Sequence, residues 1–209
     1  MVLKSFDYSE YDRRLIMLTL DAGKVTVFAR GVRRQNSRFM GACEPFSYGE
    51  FSLFPGKEAY NLSDAEISNH FEDLRMDMEK MCYASYFSDL ADYSTRENMD
   101  ARNVLMLLYR SFQALNTDSI ENRLVRAVFE LRMVMENGVY PGVREGTVSD
   151  GARSAMEHIE KSGIRELYSF KVRDDIREEI IRCADEYRRR YMQGRFRSLE
   201  VMEEMGYNI

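Results

Sequence analysis

The sequence predicts an α+β protein: a small β barrel or curled sheet, followed by an all-helical domain. Three observations carry this. Several short β-patterned runs fill the first sixty or so residues. The apolar spacing then changes from alternation to helical periodicity. Five amphipathic segments follow, without another strand-like run.

The β elements come in order. "RLIMLTL" (14–20) is apolar on both faces. Asp21-Ala22-Gly23 is a turn, because Asp favours turn starts and Gly tolerates positive φ. "KVTVFAR" (24–30) alternates, with Val25, Val27 and Ala29 on one face and Lys24, Thr26, Phe28 and Arg30 on the other. These two runs form a hairpin. "FSYGEFSLF" (46–54) is an aromatic-rich strand, followed by a Pro55-Gly56 turn and "EAYNL" (58–62).

Ser63-Asp64-Ala65-Glu66 has capping-box form and is expected to open the helical part. Met78, Cys82, Tyr86, Leu90 and Tyr93 then line one face of a long helix. "NVLMLLYRSFQAL" (103–115), "RLVRAVFELRMVM" (123–135), "ARSAMEHIEKS" (152–162) and "DDIREEIIRCADEYRRRYMQ" (174–193) are four more, the last closed by Gly194 as C-cap. Between the third and fourth helices, 137–151 holds Gly138, Pro141, Gly142, Gly146 and Gly151 and is expected to be a loop. The domains are accordingly 1–72 and 73–209.

Composition excludes several function classes. The 209 residues are 44% hydrophobic and 31% charged, as in a globular domain. No apolar run approaches the ~20 residues of a membrane span, and no secretory signal opens the chain, so a cytoplasmic location is expected. Cys43, Cys82 and Cys183 are too scattered for a disulfide framework or a metal pattern. His70 and His158 read as solvated helix residues. There is no phosphate-binding G-x-x-x-x-G-K-[ST] loop, no G-x-S-x-G elbow and no H-E-x-x-H. No acid stands in an apolar context that marks a tuned general acid. The expectation is a protein that is not an enzyme and uses no metal or other cofactor.

One stretch stands apart. "ARGVRRQNSRFMG" (29–41) carries Arg30, Arg33, Arg34 and Arg38 in a chain of net charge -5, with no acid from Ala22 through Cys43. With Lys24 and Phe28 on the preceding strand it makes a nucleic-acid-binding pattern: guanidinium groups suit phosphate, and a ring can stack on an unpaired base. The plainer alternative is an exposed loop kept soluble by its arginines. A second basic group, Arg188, Arg189, Arg190, Arg195 and Arg197, reads as a solvated helix end.

The residues resemble the RecO family of bacterial recombinational repair mediators. The resemblance rests on Tyr8 to Arg13, Thr19 to Lys24, Ala29 to Arg33, Ser37-Arg38 and Pro45-Phe46, then on "AEISNHFEDLRMDMEKMCYASYFSDL". "NGVYPGV" and "SDGARSAMEHI" are similar to weaker downstream blocks. The resemblance implies an N-terminal OB-fold and a helical C-terminal domain. It implies binding to single- and double-stranded DNA, annealing of complementary strands, and loading of the recombinase onto coated strands. Its implied partners are RecR, the single-stranded DNA-binding protein, RecF and RecA. Lys24, Arg30, Arg33, Arg34 and Arg38 become the implied DNA contacts, with Phe28 beside them. Two departures stand out. The four-cysteine zinc site that many members carry is missing at 137–151, and few residues precede the strand at Val2–Phe6, which implies a short first strand or a start upstream of Met1. A protein-interaction adaptor without DNA binding, and an RNA-binding OB module, stay open as alternatives.

Overall fold

The computed structural model describes residues 1–143 and 146–207. Five strands, β1 (Val2–Asp7), β2 (Arg13–Thr19), β3 (Gly23–Ala29), β4 (Tyr48–Pro55) and β5 (Tyr60–Asn69), form one sheet in the order β1-β2-β3-β5-β4. All neighbours are antiparallel except β3 and β5. This is consistent with an OB-fold, but the sheet does not close into a barrel. Instead, the Val2 N–H donates to Ser47 O at 2.9 Å and the Phe46 N–H donates to Val2 O at 2.8 Å. These bonds tie the start of β1 to the residues just ahead of β4. The helices are α1 (Glu72–Met76), α2 (Met78–Ser94), α3 (Arg102–Leu115), α4 (Asn122–Glu136), α5 (Asp150–Lys161), α6 (Asp174–Tyr191) and α7 (Arg197–Glu204).

The β2–β3 hairpin follows from alternation. Leu15, Met17, Val25, Val27 and Ala29 are buried on one face with Val2, Val32 and Cys43. The opposite face carries Arg14, Ile16 and Leu18 on β2 against Phe28, Thr26 and Lys24 on β3. Gly23 sits at φ +64°, and a Cβ there would run into the Met99 carbonyl oxygen. The turn is locked by Thr19, whose hydroxyl donates to Gly23 O at 2.9 Å and accepts from the Ala22 N–H at 3.1 Å.

Several expectations are corrected. Ser63 to Glu66 do not cap a helix; they lie inside β5, paired with β4. The Ser63 hydroxyl donates to Ser52 O across the ladder at 2.9 Å. A small polar side chain serves a strand neighbour as well as a helix end, so the capping pattern misleads here. The helices begin after Phe71 instead, and Asp77, which separates α1 from α2, accepts the Lys80 N–H at 3.1 Å. His70 lies between β5 and α1, not in a helix, while His158 sits edge-on to Phe170 at 5.4 Å. On α2 the central Cys82, Tyr86 and Leu90 are buried, but Met78 and Tyr93 at the ends are exposed. Gly194 is not the cap of α6, which ends at Tyr191. It lies where a Cβ would press on the rings of Phe196 and Tyr93. Gly151 belongs to α5, capped by Ser149, so the loop ends earlier than expected; positions 144 and 145 lie outside the described residues. The short α7 was not foreseen in the sequence.

The largest correction concerns buried charge. Glu130 is completely buried on α4, as is Arg126 one turn earlier. The Tyr86 hydroxyl donates to Glu130 Oε1 at 2.7 Å, and Arg126 Nη1 donates to the same oxygen at 3.3 Å. Arg188 of α6 approaches it at 3.8 Å and also holds Asp185 at 2.8 Å, so Arg188 is an interior residue rather than a solvated helix end. Burial pushes the Glu130 carboxyl above its ordinary value, against the pull of Arg126.

Sheet and helices share a core at two left-handed phenylalanines. Phe46 (φ 74°) leads into β4 and Phe71 (φ 49°) leads out of β5. Their rings meet Phe112 of α3 edge-on, at 5.2 and 5.3 Å. Left-handed backbone is unfavourable for a bulky residue, so the packing must hold both in place. Phe112→Ala is expected to lower unfolding free energy by about 3–5 kcal/mol. Urea denaturation checks this, and a loss under about 1 kcal/mol would show that the cluster is not the anchor.

Candidate nucleic-acid interface

The face of the sheet opposite that apolar cluster is divided. Its lower half, with Ile16 and Leu18, packs into the helical core. There Lys24 Nζ bonds Asp92 Oδ1 at 2.9 Å and Asp92 O at 2.7 Å. Lys4 of β1 bonds Asp92 Oδ2 at 2.8 Å and Asp89 at 2.9 Å. Lys24 therefore lies on the same face as Phe28, as the alternation implied, but its ammonium is held by Asp92 of α2. Strand alternation assigns the face, but α2 covers part of it.

The upper half emerges beyond the helices. Phe6, Arg14, Phe28 and Asn61 lie side by side across β1, β2, β3 and β5. The Arg14 guanidinium lies 5.2 Å from the Phe6 ring centre. Tyr8 packs on Phe28 at 4.7 Å, and Tyr8 itself is 62% exposed. The Arg34 guanidinium lies 5.3 Å from the ring of Tyr11. Arg30 leans toward Asn61 Oδ1 at 3.4 Å.

The loop after β3 is clamped onto the loop after β1. Asp12 Oδ1 accepts the Gly31 N–H at 2.7 Å, and the Arg33 N–H donates to Tyr11 O at 3.0 Å. The Gly31 hydrogen bond, helped by Ser9 and the charges of Arg30 and Arg34, holds the Asp12 carboxyl below its ordinary value. Arg33 reaches back to Ser9 O at 3.1 Å and Asp7 at 3.1 Å. Arg38 pairs with Asp64 of β5 at 3.4 Å and covers Phe39. So the basic stretch, free of acids in sequence, meets acids in space. Arg13, Arg33 and Arg38 are ion-paired, with Glu44 and Asp7 serving Arg13. Among the described residues Arg14, Arg30 and Arg34 form no salt bridge.

The family model described as Recombination protein O N terminal matches residues 1–71, and the one described as Recombination protein O C terminal matches residues 75–150. The chain belongs to the RecO family. A protein named DNA repair protein RecO from Acetivibrio thermocellus is 25% identical over 98% of this chain and 95% of its own length. One of the same name from Clostridium novyi is 24% identical over 96% of this chain and 91% of its own. Another from Alkaliphilus metalliredigens is 31% identical over 67% of this chain and 57% of its own.

RecO is thus a DNA repair family, and in this member the matched N-terminal region carries the open sheet face. Reading the residues alone missed Phe6, Tyr8, Tyr11 and Arg14 as parts of that face. A signal was available: a tight turn ending at Gly23 sets Arg14 opposite Phe28, and a strand before it sets an aromatic next to Arg14. No group of His, Cys, Asp and Glu among the described residues is arranged to hold a metal ion. No described helix is long and apolar enough to cross a membrane.

The lysine pair on Asp92 gives a pH test. Burial disfavours the charge on Asp92, but the hydrogen bonds from Lys4 and Lys24 outweigh it, and the carboxyl sits below its ordinary 3.8. Such a group contributes stability above the unfolded value, lost as pH falls through the lower folded value. Lys4 shifts the other way: burial is outweighed by Asp92 and Asp89, the ammonium sits above 10.5, and its contribution is lost only as pH rises past that. Asp92→Asn is expected to cost about 2 kcal/mol at pH 7. The difference from the parent should shrink as pH falls below 3.8. Urea denaturation at pH 7 and in acid checks it; an equal difference at both would show that the carboxylate charge is not what matters.

Proposed function

We propose that this RecO family member is a non-enzymatic DNA-binding mediator of recombinational repair. It captures single strands, also binds duplex, anneals complementary strands and helps load the recombinase onto coated strands. RecR and the single-stranded DNA-binding protein are its proposed partners, with RecF and RecA downstream. The observation that carries the reading is the open end of the sheet, where Arg14, Arg30 and Arg34 have no salt bridge among the described residues, and Arg14 and Arg34 stand beside the exposed rings of Phe6 and Tyr11. Guanidinium groups outside any salt bridge can attract phosphate even with the Asp12 carboxylate near Arg30 and Arg34, and a chain of net charge -5 can do this because fields are screened within about 10 Å.

The sequence-derived contacts take different parts in this proposal. Arg30 and Arg34 contact phosphate. Arg38 joins them, since its pairing with Asp64 is an exposed one, with side chains 72% and 62% accessible, and a phosphate can replace the acid. Phe28 supports the surface, Arg33 staples the two loops, and Lys24 ties the sheet to α2.

The test is salt-dependent binding of a labelled single-stranded oligonucleotide. Three phosphate contacts predict a log–log salt slope of about -2, without sequence preference. Replacing Arg30, Arg34 and Arg38 together by Ala should bring the slope close to zero while the melting temperature stays near the parent's. A parent that binds no oligonucleotide at low salt would favour a protein-interaction adaptor instead.

A further inference from the structure

We propose that the free edge of β1 is a docking site for a protein partner: an extended apolar segment flanked by lysine or arginine. The segment adds a strand beside Leu3 to Phe6 and places side chains in the pocket that β1 shares with α2 and α7. The site lies along the edge of the sheet, so it stands or falls apart from the DNA-binding reading above.

Three observations support this. First, β1 stands at the end of the sheet order and pairs only with β2. On its other side Val2 is bonded to Phe46 and Ser47, and from Leu3 to Phe6 no described strand continues that cover. An edge of this kind offers main-chain donors and acceptors to another chain. Second, a cavity of about 550 Å³ opens beside it, lined by Leu3 through Phe6 together with Met81, Ser85 and Val201. Successive strand side chains point to opposite faces, so a cavity that touches a run of them lies along the edge, not over one face. Its lining is mostly apolar, which suits the alternate side chains of an added strand.

Third, the charge around the cavity selects the segment. α7 runs antiparallel to α2: the Ser198 hydroxyl donates to Asp89 at 2.6 Å, while Tyr207, past the end of α7, lies within the influence of Cys82, Glu79 and Asp77. The cavity therefore runs on between the two helices toward Met78, one turn from Met81, and Met205, one turn from Val201. These methionines are 52% and 46% exposed, and methionine adapts to the shape of a partner. Beside them Asp77, Glu203 and Glu204 are exposed and form no salt bridge among the described residues. Within the cavity Lys4 is already held by Asp89 and Asp92. That leaves Arg197 as the cation at the rim without a salt bridge among the described residues. A lysine or arginine at one end of the segment meets the acids; an acidic segment would meet like charge there.

The experiment uses labelled peptides of about seven residues, the length of a short strand. Valine, leucine or phenylalanine alternates with threonine, and a pair of lysines closes one end. A second set ends in a pair of glutamates. A third keeps the lysines but is N-methylated along its backbone, which blocks strand pairing. Fluorescence anisotropy with the full chain is expected to show saturable binding of the lysine-ended set. The glutamate-ended and N-methylated sets should bind at least about tenfold more weakly. Ser85→Trp fills the cavity from a half-buried position on α2. It should weaken the lysine-ended set by about tenfold while the melting temperature stays near the parent's. If no lysine-ended peptide saturates below about 1 mM, the docking site is overturned. Equal binding of the N-methylated set overturns the added strand, and tighter binding of the glutamate-ended set overturns the basic partner. A chain that dimerises at the concentrations used, and no longer does so with Ser85→Trp, assigns the edge to a second copy instead. The peptide comparisons need only the parent chain, so a variant that does not fold leaves the test intact.

Discussion

Asp92 accepts the ammonium groups of Lys4 and Lys24, from two strands that do not touch each other. Everything about the exposed surface depends on this tie. It lays α2 along the lower half of the sheet's outer face, so that Ile16 and Leu18 join the helical core. It also sets where the cover stops. One step farther along the same strands, Phe6 is 43% exposed and borders a pocket that it shares with α2 and α7. Had α2 sat higher, Phe6 would be core; had it sat lower, Leu18 would be exposed. The apolar anchor works with it: Phe46 and Phe71 hold both chain crossings against Phe112. A hydrophobic contact alone is non-directional, while a carboxylate shared by two ammonium groups has a defined position.

The arginines divide by a similar logic. Arg33 is bound to backbone and carboxylate at once, and its removal would loosen two loops. Arg13 lies between Asp7 and Glu44 with only 20% of its side chain accessible. These residues shape the surface. Arg14, Arg30 and Arg34 lie on it outside any salt bridge among the described residues, beside rings and an amide, with Asp12 near Arg30 and Arg34. The sequence presents Arg30, Arg33, Arg34 and Arg38 as one basic stretch. The separation appears only when Asp7 and Asp64 arrive from other strands and Asp12 from the loop after β1.

This explains which parts of the structure were legible. Alternation in 24–30 and the Gly23 turn gave the hairpin, because a period of two and a positive φ are local properties. The four helices from 103 to 191 were legible from their apolar spacing. What depends on distant partners was not. Ser63 has the local chemistry of a helix cap, yet its partner is a carbonyl on β4. Glu130 has the local appearance of a solvated helix residue, yet Tyr86 and Arg126 accompany it into the core. Gly194 resembles a helix stop, but its lack of a side chain serves the rings of Phe196 and Tyr93. Lys24 sits on the face its alternation requires, and only the position of Asp92 decides that this part of the face is closed.

The overall acidity also takes on a definite meaning. The chain carries 35 acids against 30 lysines and arginines. In the helical region cations pair with acids between and along helices: Arg123 grips Glu178 with two bonds of 3.0 Å, Arg177 reaches Glu121 at 2.8 Å, and Arg132 holds Glu136 one turn along α4 at 3.2 Å. Such pairs present little net field to an approaching polyanion. The surplus of acids repels it. At the end of the sheet Asp7 and Glu44 are paired by Arg33 and Arg13, and Asp64 by Arg38, which leaves Arg14, Arg30 and Arg34 outside any salt bridge among the described residues, with Asp12 held by the Gly31 N–H. A nucleic acid would therefore be steered by repulsion on one side and attraction on the other. An acidic overall composition is therefore compatible with a locally basic surface at the open end of the sheet.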